Sequence, residues 1–144
     1  MNTTIERLEQ ERDSVAEVLT CWADLAAREE ERGENEQAQV LTNRGADLAL
    51  FRMLLHECTV SIYLVEPLPH LRTLFHIADT CELEHARDAG LAKQARDCIF
   101  ALMSGLQARD SDRIVDALCD ILMATEAVDA ELGAVRQEYE KIKE

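Results

Sequence analysis

The stretch "DRIVDALCDILMATEAVDAELGAVRQEYEKIK", residues 112–143, decides the fold class of this chain. Apolar residues recur in it every three, four or seven positions, and only Thr125 interrupts the series. This spacing places the apolar side chains along one face of a long α-helix, for which Asp110 or Ser111 is a suitable cap. The series consists of Leu118, Ile121, Val128, Leu132, Val135, Tyr139 and Ile142.

Four further segments show helical patterns, and no segment shows a strand pattern. The N-terminal segment repeats a similar heptad spacing, with Arg12 in one core position, which suggests that the two terminal helices pair along their length or with copies from another subunit. Pro67 and Pro69 end the second helix, because proline cannot continue its hydrogen bonds. We therefore predict an all-α bundle of about five helices in a single domain, residues 1–144, with long N- and C-terminal helices. The predicted helices cover about 4–32, 36–65, 69–86, 90–107 and 112–143.

The composition indicates a protein with an acidic surface. Of its 144 residues, 29 are Asp or Glu and 15 are Lys or Arg, so the formal net charge is −14. This charge argues against nucleic acid and anionic lipid as direct partners, since both are bound through Lys and Arg. The partner that complements this charge is a protein with a basic surface.

The negative charge is concentrated near the two ends of the sequence. Residues 1–36 contain 11 acidic and 4 basic residues, and residues 109–144 contain 10 acidic and 5 basic residues. Concentration on two long helices favours a working surface over a role in solubility alone. We predict a non-enzymatic protein that binds and inhibits or adapts a basic protein partner, with nucleic-acid mimicry as a narrower form of the hypothesis. The predicted partner-binding residues are Asp112, Asp116, Asp120, Glu131 and Glu138.

The second predicted helix is apolar on two sides, which is typical of a helix at the centre of a bundle or in an interface. One of its stripes must be covered either by helices of the same chain or by a second subunit. We predict a homodimer through this stripe. Its residues are Leu50, Met53, Val60 and Leu64.

Cysteine usage and the N-terminus predict a cytoplasmic protein. The five cysteines are widely spaced without a Cys-x-x-Cys pair, as is typical of reduced thiols. The N-terminus lacks the basic start and apolar run of a secretory signal. The longest apolar segment, residues 48–65, contains an arginine, a histidine and a glutamate, which argues against a membrane span. The cysteines are Cys21, Cys58, Cys81, Cys98 and Cys119.

The stretch "HIADTCELEH", residues 76–85, concentrates potential metal ligands. On a helical wheel these groups divide between two sides, and Cys81, Glu82 and His85 lie on the buried one. Glu82 and His85 form one Glu-x-x-His pair, whereas a di-iron centre in a bundle needs two. Zinc binding by Cys58, Cys81 and His85 is the other metal hypothesis. An ion pair at the helix end is favoured over both, so we predict no metal and no other cofactor.

The stretch "DRIVDALCDIL", residues 112–122, supports an alternative, enzymatic hypothesis. It is locally similar to the aspartate-bearing helix of all-α nucleoside triphosphate pyrophosphatases of the MazG type. The resemblance places Asp116 and Asp120 at metal-binding positions of that family, which also carries a Glu-Glu-x-x-Glu motif on the preceding helix to hold Mg²⁺. The corresponding stretch here, "LAKQARDCI" at 91–99, has only Asp97 as an acidic residue. The resemblance thus implies a metal-dependent enzyme with a degraded site, and no catalytic residue is predicted.

Overall fold

The computed structural model describes the backbone of residues 3–84 and 89–143 and the side chains of residues 4–80 and 90–143. The described residues form five α-helices and no strand, which confirms the predicted all-α bundle. The first and last helices, of 30 and 33 residues, are the long terminal helices that were expected. In chain order the helices are α1 (Thr3–Arg32), α2 (Glu36–Ser61), α3 (Pro67–Glu84), α4 (Ala89–Ala108) and α5 (Ser111–Lys143).

Local sequence signals account for several of the helix ends. Gly33 follows α1 with a φ of 61°, a left-handed conformation that glycine adopts at low cost, and its N–H donates to the Glu29 carbonyl. The Asn35 side chain caps α2 by accepting a hydrogen bond from the Ala38 N–H at 3.1 Å. Asp110 caps α5 by accepting hydrogen bonds from two N–H groups of the first turn. Of the two predicted caps for α5, the aspartate is therefore the one used.

α2 ends at Ser61, four residues earlier than the sequence pattern predicts. The Ser61 hydroxyl donates to the Cys58 carbonyl at 2.6 Å. Two N–H groups beyond Ser61 donate to carbonyls three positions earlier, so the chain tightens as it leaves the helix. α3 begins at Pro67, and the residue before a proline is disfavoured in helical conformation. The sequence pattern did not show this end because the residues that follow Ser61 are apolar and continue the helical spacing.

α2 lies at the centre of the bundle and contacts each of the other four helices. A helix with four neighbours needs apolar residues on more than one side, in agreement with the two apolar stripes of α2. Among the helices of the described residues, none is both long and apolar enough to span a membrane. The largest fully buried apolar side chains are Leu48, Leu55, Leu71, Ile99, Leu102 and Ile121.

α1 and α5 flank α2 and run parallel to each other. Trp22 and Glu29 of α1 meet Tyr139 and Lys143 of α5 in the same order along both helices. Pairing of these two helices along their whole length, one of the two arrangements expected from their heptads, does not occur within the described chain. Both pack mainly on α2, and an open hollow of about 270 Å³ remains between the three helices.

Candidate interaction surface

α5 buries a face that differs by a small rotation from the predicted one. Ala117 and Ala124 are buried although they lie outside the predicted series, whereas Leu118 and Leu132 of that series are only half-buried. Alanine at these positions lets neighbouring helices approach α5 closely. The sequence contains a signal for this face, because its small and apolar residues are spaced by four, three and four positions. They are Ala117, Ile121, Ala124 and Val128. The buried residues of α5 are Ala117, Ile121, Ala124, Val128, Val135 and Tyr139.

The C-terminal half of α5, residues 128–143, has its acidic side chains in ion pairs. This half contains four acidic residues, and each of them contacts a basic side chain. Two of the pairs join α5 to α2, and two lie within α5. The pairs are Asp129 with Arg52, Glu131 with Arg44, Glu140 with Arg136 and Glu138 with Lys141.

The same half is joined to α1 by a cluster, which we call the terminal clamp, formed by the buried Trp22, Glu29 and Tyr139 and the partly exposed Lys143. The rings of Trp22 and Tyr139 meet edge to face with centroids 6.3 Å apart. The Tyr139 hydroxyl donates to Glu29 Oε1 at 2.9 Å, and Lys143 Nζ lies 2.6 Å from the same oxygen. The hydrogen bond from Lys143 lowers the pKa of Glu29, burial opposes this, and the hydrogen bond from Tyr139 lowers it further. The buried carboxylate is thus held in its ionised form.

Gly45 of α2 makes room for the indole of the terminal clamp. A Cβ atom at this position would overlap three ring atoms of Trp22. The Trp22 side chain is only 4% exposed and is held by neighbours on α2 and α5, so the ring has little freedom to move away. Gly45 is buried within α2, and the property that the packing requires at this position is the absence of a side chain.

The N-terminal half of α5, residues 111–127, has a different arrangement of charge. Its four acidic residues, Asp112, Asp116, Asp120 and Glu126, are all exposed. None of them forms an ion pair with a residue that the structure describes. The three aspartates repeat every four residues, so they line one side of the helix at intervals of about 6 Å. This row of carboxylates is free to bind a cationic group.

Large apolar side chains are exposed beside these aspartates. Val115, Leu122 and Met123 are 56%, 61% and 68% exposed, and Cys119 is exposed as well. Val115, Cys119 and Leu122 follow the spacing of one helical row, and Met123 lies between this row and the aspartates. The sequence pattern did not predict this row, although three consecutive apolar residues, 121–123, are more than one buried helix face can accommodate. We call the following group the α5 outer face: Asp112, Val115, Asp116, Cys119, Asp120, Leu122 and Met123.

The five predicted partner-binding residues do not form one surface. Asp112, Asp116 and Asp120 lie together on the α5 outer face. Glu131 and Glu138 lie in the C-terminal half, where each already has a basic partner. Glu131 in particular connects α5 to α2, so it contributes to the bundle itself.

The two aspartates of the enzymatic hypothesis lie on the exposed side of α5. Within the described part of the chain, no group of three or more His, Cys, Asp or Glu side chains is arranged to hold a metal ion. Asp120 lies near the thiol of Cys98 on α4, where burial first and the charge of Asp120 second raise the pKa of Cys98 to about 11. Comparison of the whole chain with protein families, curated proteins and solved structures gives no match. Magnesium-dependent activity through Asp116 and Asp120 stays an untested hypothesis.

The other metal candidates fall largely outside what the structure describes. The side chains of Cys81, Glu82 and His85 are not among the described ones. Cys58, the remaining candidate, is fully buried, and burial raises the pKa of its thiol to about 12. Because a metal is bound by the thiolate, this environment favours the role of a core side chain.

The stripe predicted to form a homodimer is covered to different degrees within one chain. Val60 is buried, Leu50 and Met53 are half-buried, and Leu64, just beyond α2, is 40% exposed. Covering by the same chain therefore accounts for part of this stripe, and the homodimer stays a prediction.

Proposed function

We propose that this chain is a small acidic helical protein that binds a basic protein partner and thereby inhibits it or adapts it. The observation that supports the proposal is the difference between the acidic residues of α5. Those of the C-terminal half are in ion pairs, whereas those of the N-terminal half have no partner among the described residues. Unpaired carboxylates can bind Lys or Arg of another protein without first breaking an internal ion pair.

The outer side of α1 adds to the negative field of the molecule. Five exposed carboxylates lie within a narrow arc of this helix, on the side opposite Trp22. None of them is in an ion pair with a described residue. Because both α1 and α5 carry net negative charge, their fields add and would steer a basic partner during association. The residues are Glu6, Asp13, Glu17, Asp24 and Glu31.

The proposal is tested by affinity capture from extracts of the cells in which the protein occurs, followed by association kinetics with each captured protein after purification. The variant Asp112→Asn, Asp116→Asn, Asp120→Asn removes three charges from α5. The control, Asp13→Asn, Glu17→Gln, Asp24→Asn, removes three from α1. We expect the α5 variant to slow association at least tenfold, and the control to slow it less, because only α5 would contact the partner.

The dependence of partner binding on salt concentration is the second test of the proposal. Raising this concentration to about 0.5 M should weaken binding, since the screening length shortens to a few ångströms. Capture that is unaffected by salt and by both variants would contradict the proposal. Equal loss in both variants would assign the effect to net charge instead of to α5.

A further inference from the structure

We infer that the α5 outer face receives an amphipathic helix of the partner that carries lysines or arginines beside an apolar stripe. This inference rests on the proposed function and names the element that would make the contact. Its basis is that Met123, which is 68% exposed, lies on the same side of α5 as the unpaired Asp116 and Asp120, and that Leu122, 61% exposed, continues the apolar surface on the side away from Asp120.

The apolar row has the geometry of a helix-packing ridge. Val115, Cys119 and Leu122 follow the spacing i, i+4, i+7, which covers about 10 Å along the axis. An amphipathic helix binds such a surface through anchors at i, i+3, i+4 and i+7. The small side chain of Cys119 leaves space for an anchor between the larger side chains of Val115 and Leu122.

The aspartates determine what must lie beside those anchors. Asp112 and Asp116 present carboxylates in successive turns along the edge of the apolar row, and Asp120 lies farther round the helix, towards Cys98 of α4. A helix with Lys or Arg in successive turns on the facing edge would meet Asp112 and Asp116, and a long side chain at its end could reach Asp120. A purely apolar helix would bring the carboxylates out of water without a partner, which is unfavourable. An extended basic segment would bind the carboxylates and leave the apolar row exposed.

A second copy of the chain fits the same face less well. Its own α5 outer face would bring three more aspartates to a surface that is already negative, against a single basic residue, Arg113, in the same half of the helix. Like charges across an interface oppose association. The partner helix is therefore expected to come from a different, basic protein.

The inference is tested with a defined probe, a synthetic 18-residue amphipathic peptide with leucine anchors and one edge of lysines. A peptide of the same composition in scrambled order serves as the control, and binding is followed by fluorescence anisotropy at 0.15 M salt. We expect the amphipathic peptide to bind at least tenfold more tightly than the scrambled one. Leu122→Ser with Met123→Ser should remove this preference, whereas Val18→Ser, at an exposed position of α1, should leave it within about twofold.

Alkylation of cysteines locates the bound peptide. Cys119 lies within the α5 outer face, and Cys21 is an exposed cysteine on α1. The peptide should slow modification of Cys119 by iodoacetamide several-fold and leave that of Cys21 unchanged, as measured by mass spectrometry of the digested protein. Circular dichroism of each variant checks that the bundle is intact.

The outcomes separate this inference from the proposed function. Equal binding of both peptides, or no effect of the serine variants, would show that the α5 outer face does not bind an amphipathic helix. In that case, loss of the captured partner by the triple aspartate variant would still support the proposed function, and only the inference of an amphipathic helix would be wrong. A dimer in sedimentation experiments that the serine variants dissociate would assign the face to a second copy and would also overturn the inference.

Discussion

The two halves of α5 belong to one continuous helix but use their charged residues in opposite ways. In residues 128–143 the carboxylates pair with arginine and lysine, and two of the pairs reach α2. In residues 111–127 the carboxylates have no such partner among the described residues, and large apolar side chains lie exposed beside them. This difference shows that an acidic composition alone does not identify a binding surface. Only the carboxylates that the fold leaves unpaired are available to another molecule.

The largest effect is expected in the C-terminal half of α5, where the terminal clamp joins α5 to α1. Replacing Gly45 with alanine would push a methyl group into the Trp22 indole and should lower the free energy of unfolding by about 2–3 kcal/mol. The matched control is Gly133→Ala, where an added Cβ meets no atom within 4 Å. This control should gain up to about 1 kcal/mol from helix propensity.

Urea unfolding followed by circular dichroism and by tryptophan fluorescence measures both effects. Since the chain contains one tryptophan, the fluorescence reports directly on the clamp. Equal midpoints for Gly45→Ala and the wild type would show that the Trp22 ring is not confined as described.

The next largest effect is expected at the buried carboxylate of the terminal clamp. Glu29→Gln keeps an oxygen for the Tyr139 hydroxyl but removes the charge that binds Lys143, so we expect a loss of about 1–2 kcal/mol. Glu30→Gln, one residue away and exposed, should change the free energy of unfolding by less than about 0.5 kcal/mol. Similar losses for both variants would argue against a special role for Glu29.

The difference in the free energy of unfolding between the wild type and Glu29→Gln should depend on pH. The pKa of Glu29 is lowered from 4.5 in the folded protein, so the unfolded chain takes up the proton first. The stabilisation from this group is complete above pH 4.5 and is lost as the pH falls through the lower folded value. Unfolding curves at pH 7, 5, 4 and 3 should therefore show the wild type and Glu29→Gln converging in acid. A constant difference over this range would contradict the assignment.

The smallest expected effect compares one carboxylate from each half of α5. Asp116→Asn should change the free energy of unfolding by less than about 0.5 kcal/mol, because its carboxylate contributes to no ion pair with a described residue. Glu131→Gln should lose up to about 1 kcal/mol, since it removes the partner of Arg44. Thermal unfolding of both variants at low and high salt measures this. A larger loss for Asp116→Asn would mean that the N-terminal half also contributes to stability.

Much of the fold was predictable because helix formation depends on neighbours in the sequence. The spacing of apolar residues, together with Pro67, Pro69 and the cap at Asp110, placed the described helix ends within about two residues of their observed positions, with one exception. The exception was the end of α2, where the apolar residues beyond Ser61 continue a helical pattern that the chain does not follow.

The candidate site was predictable only in part. The row of Asp112, Asp116 and Asp120 was recognised from its four-residue spacing, because residues of that spacing share one side of a helix. The exposed Leu122 and Met123 were missed, since an apolar residue in a predicted helix is first assigned to the core.

The five helices, their order and the concentration of negative charge on the first and last of them follow from the sequence alone. Which of these charges are paired depends on how the helices pack. Glu131 and Asp120 look alike in the sequence, yet one lies beside an arginine of α2 and the other makes no ion pair with a described residue. Ion pairs between helices cannot be predicted from neighbouring residues, because their two partners are far apart in the sequence. Arg44 and Glu131 are separated by 87 positions, and they meet only because α2 and α5 pack in one register.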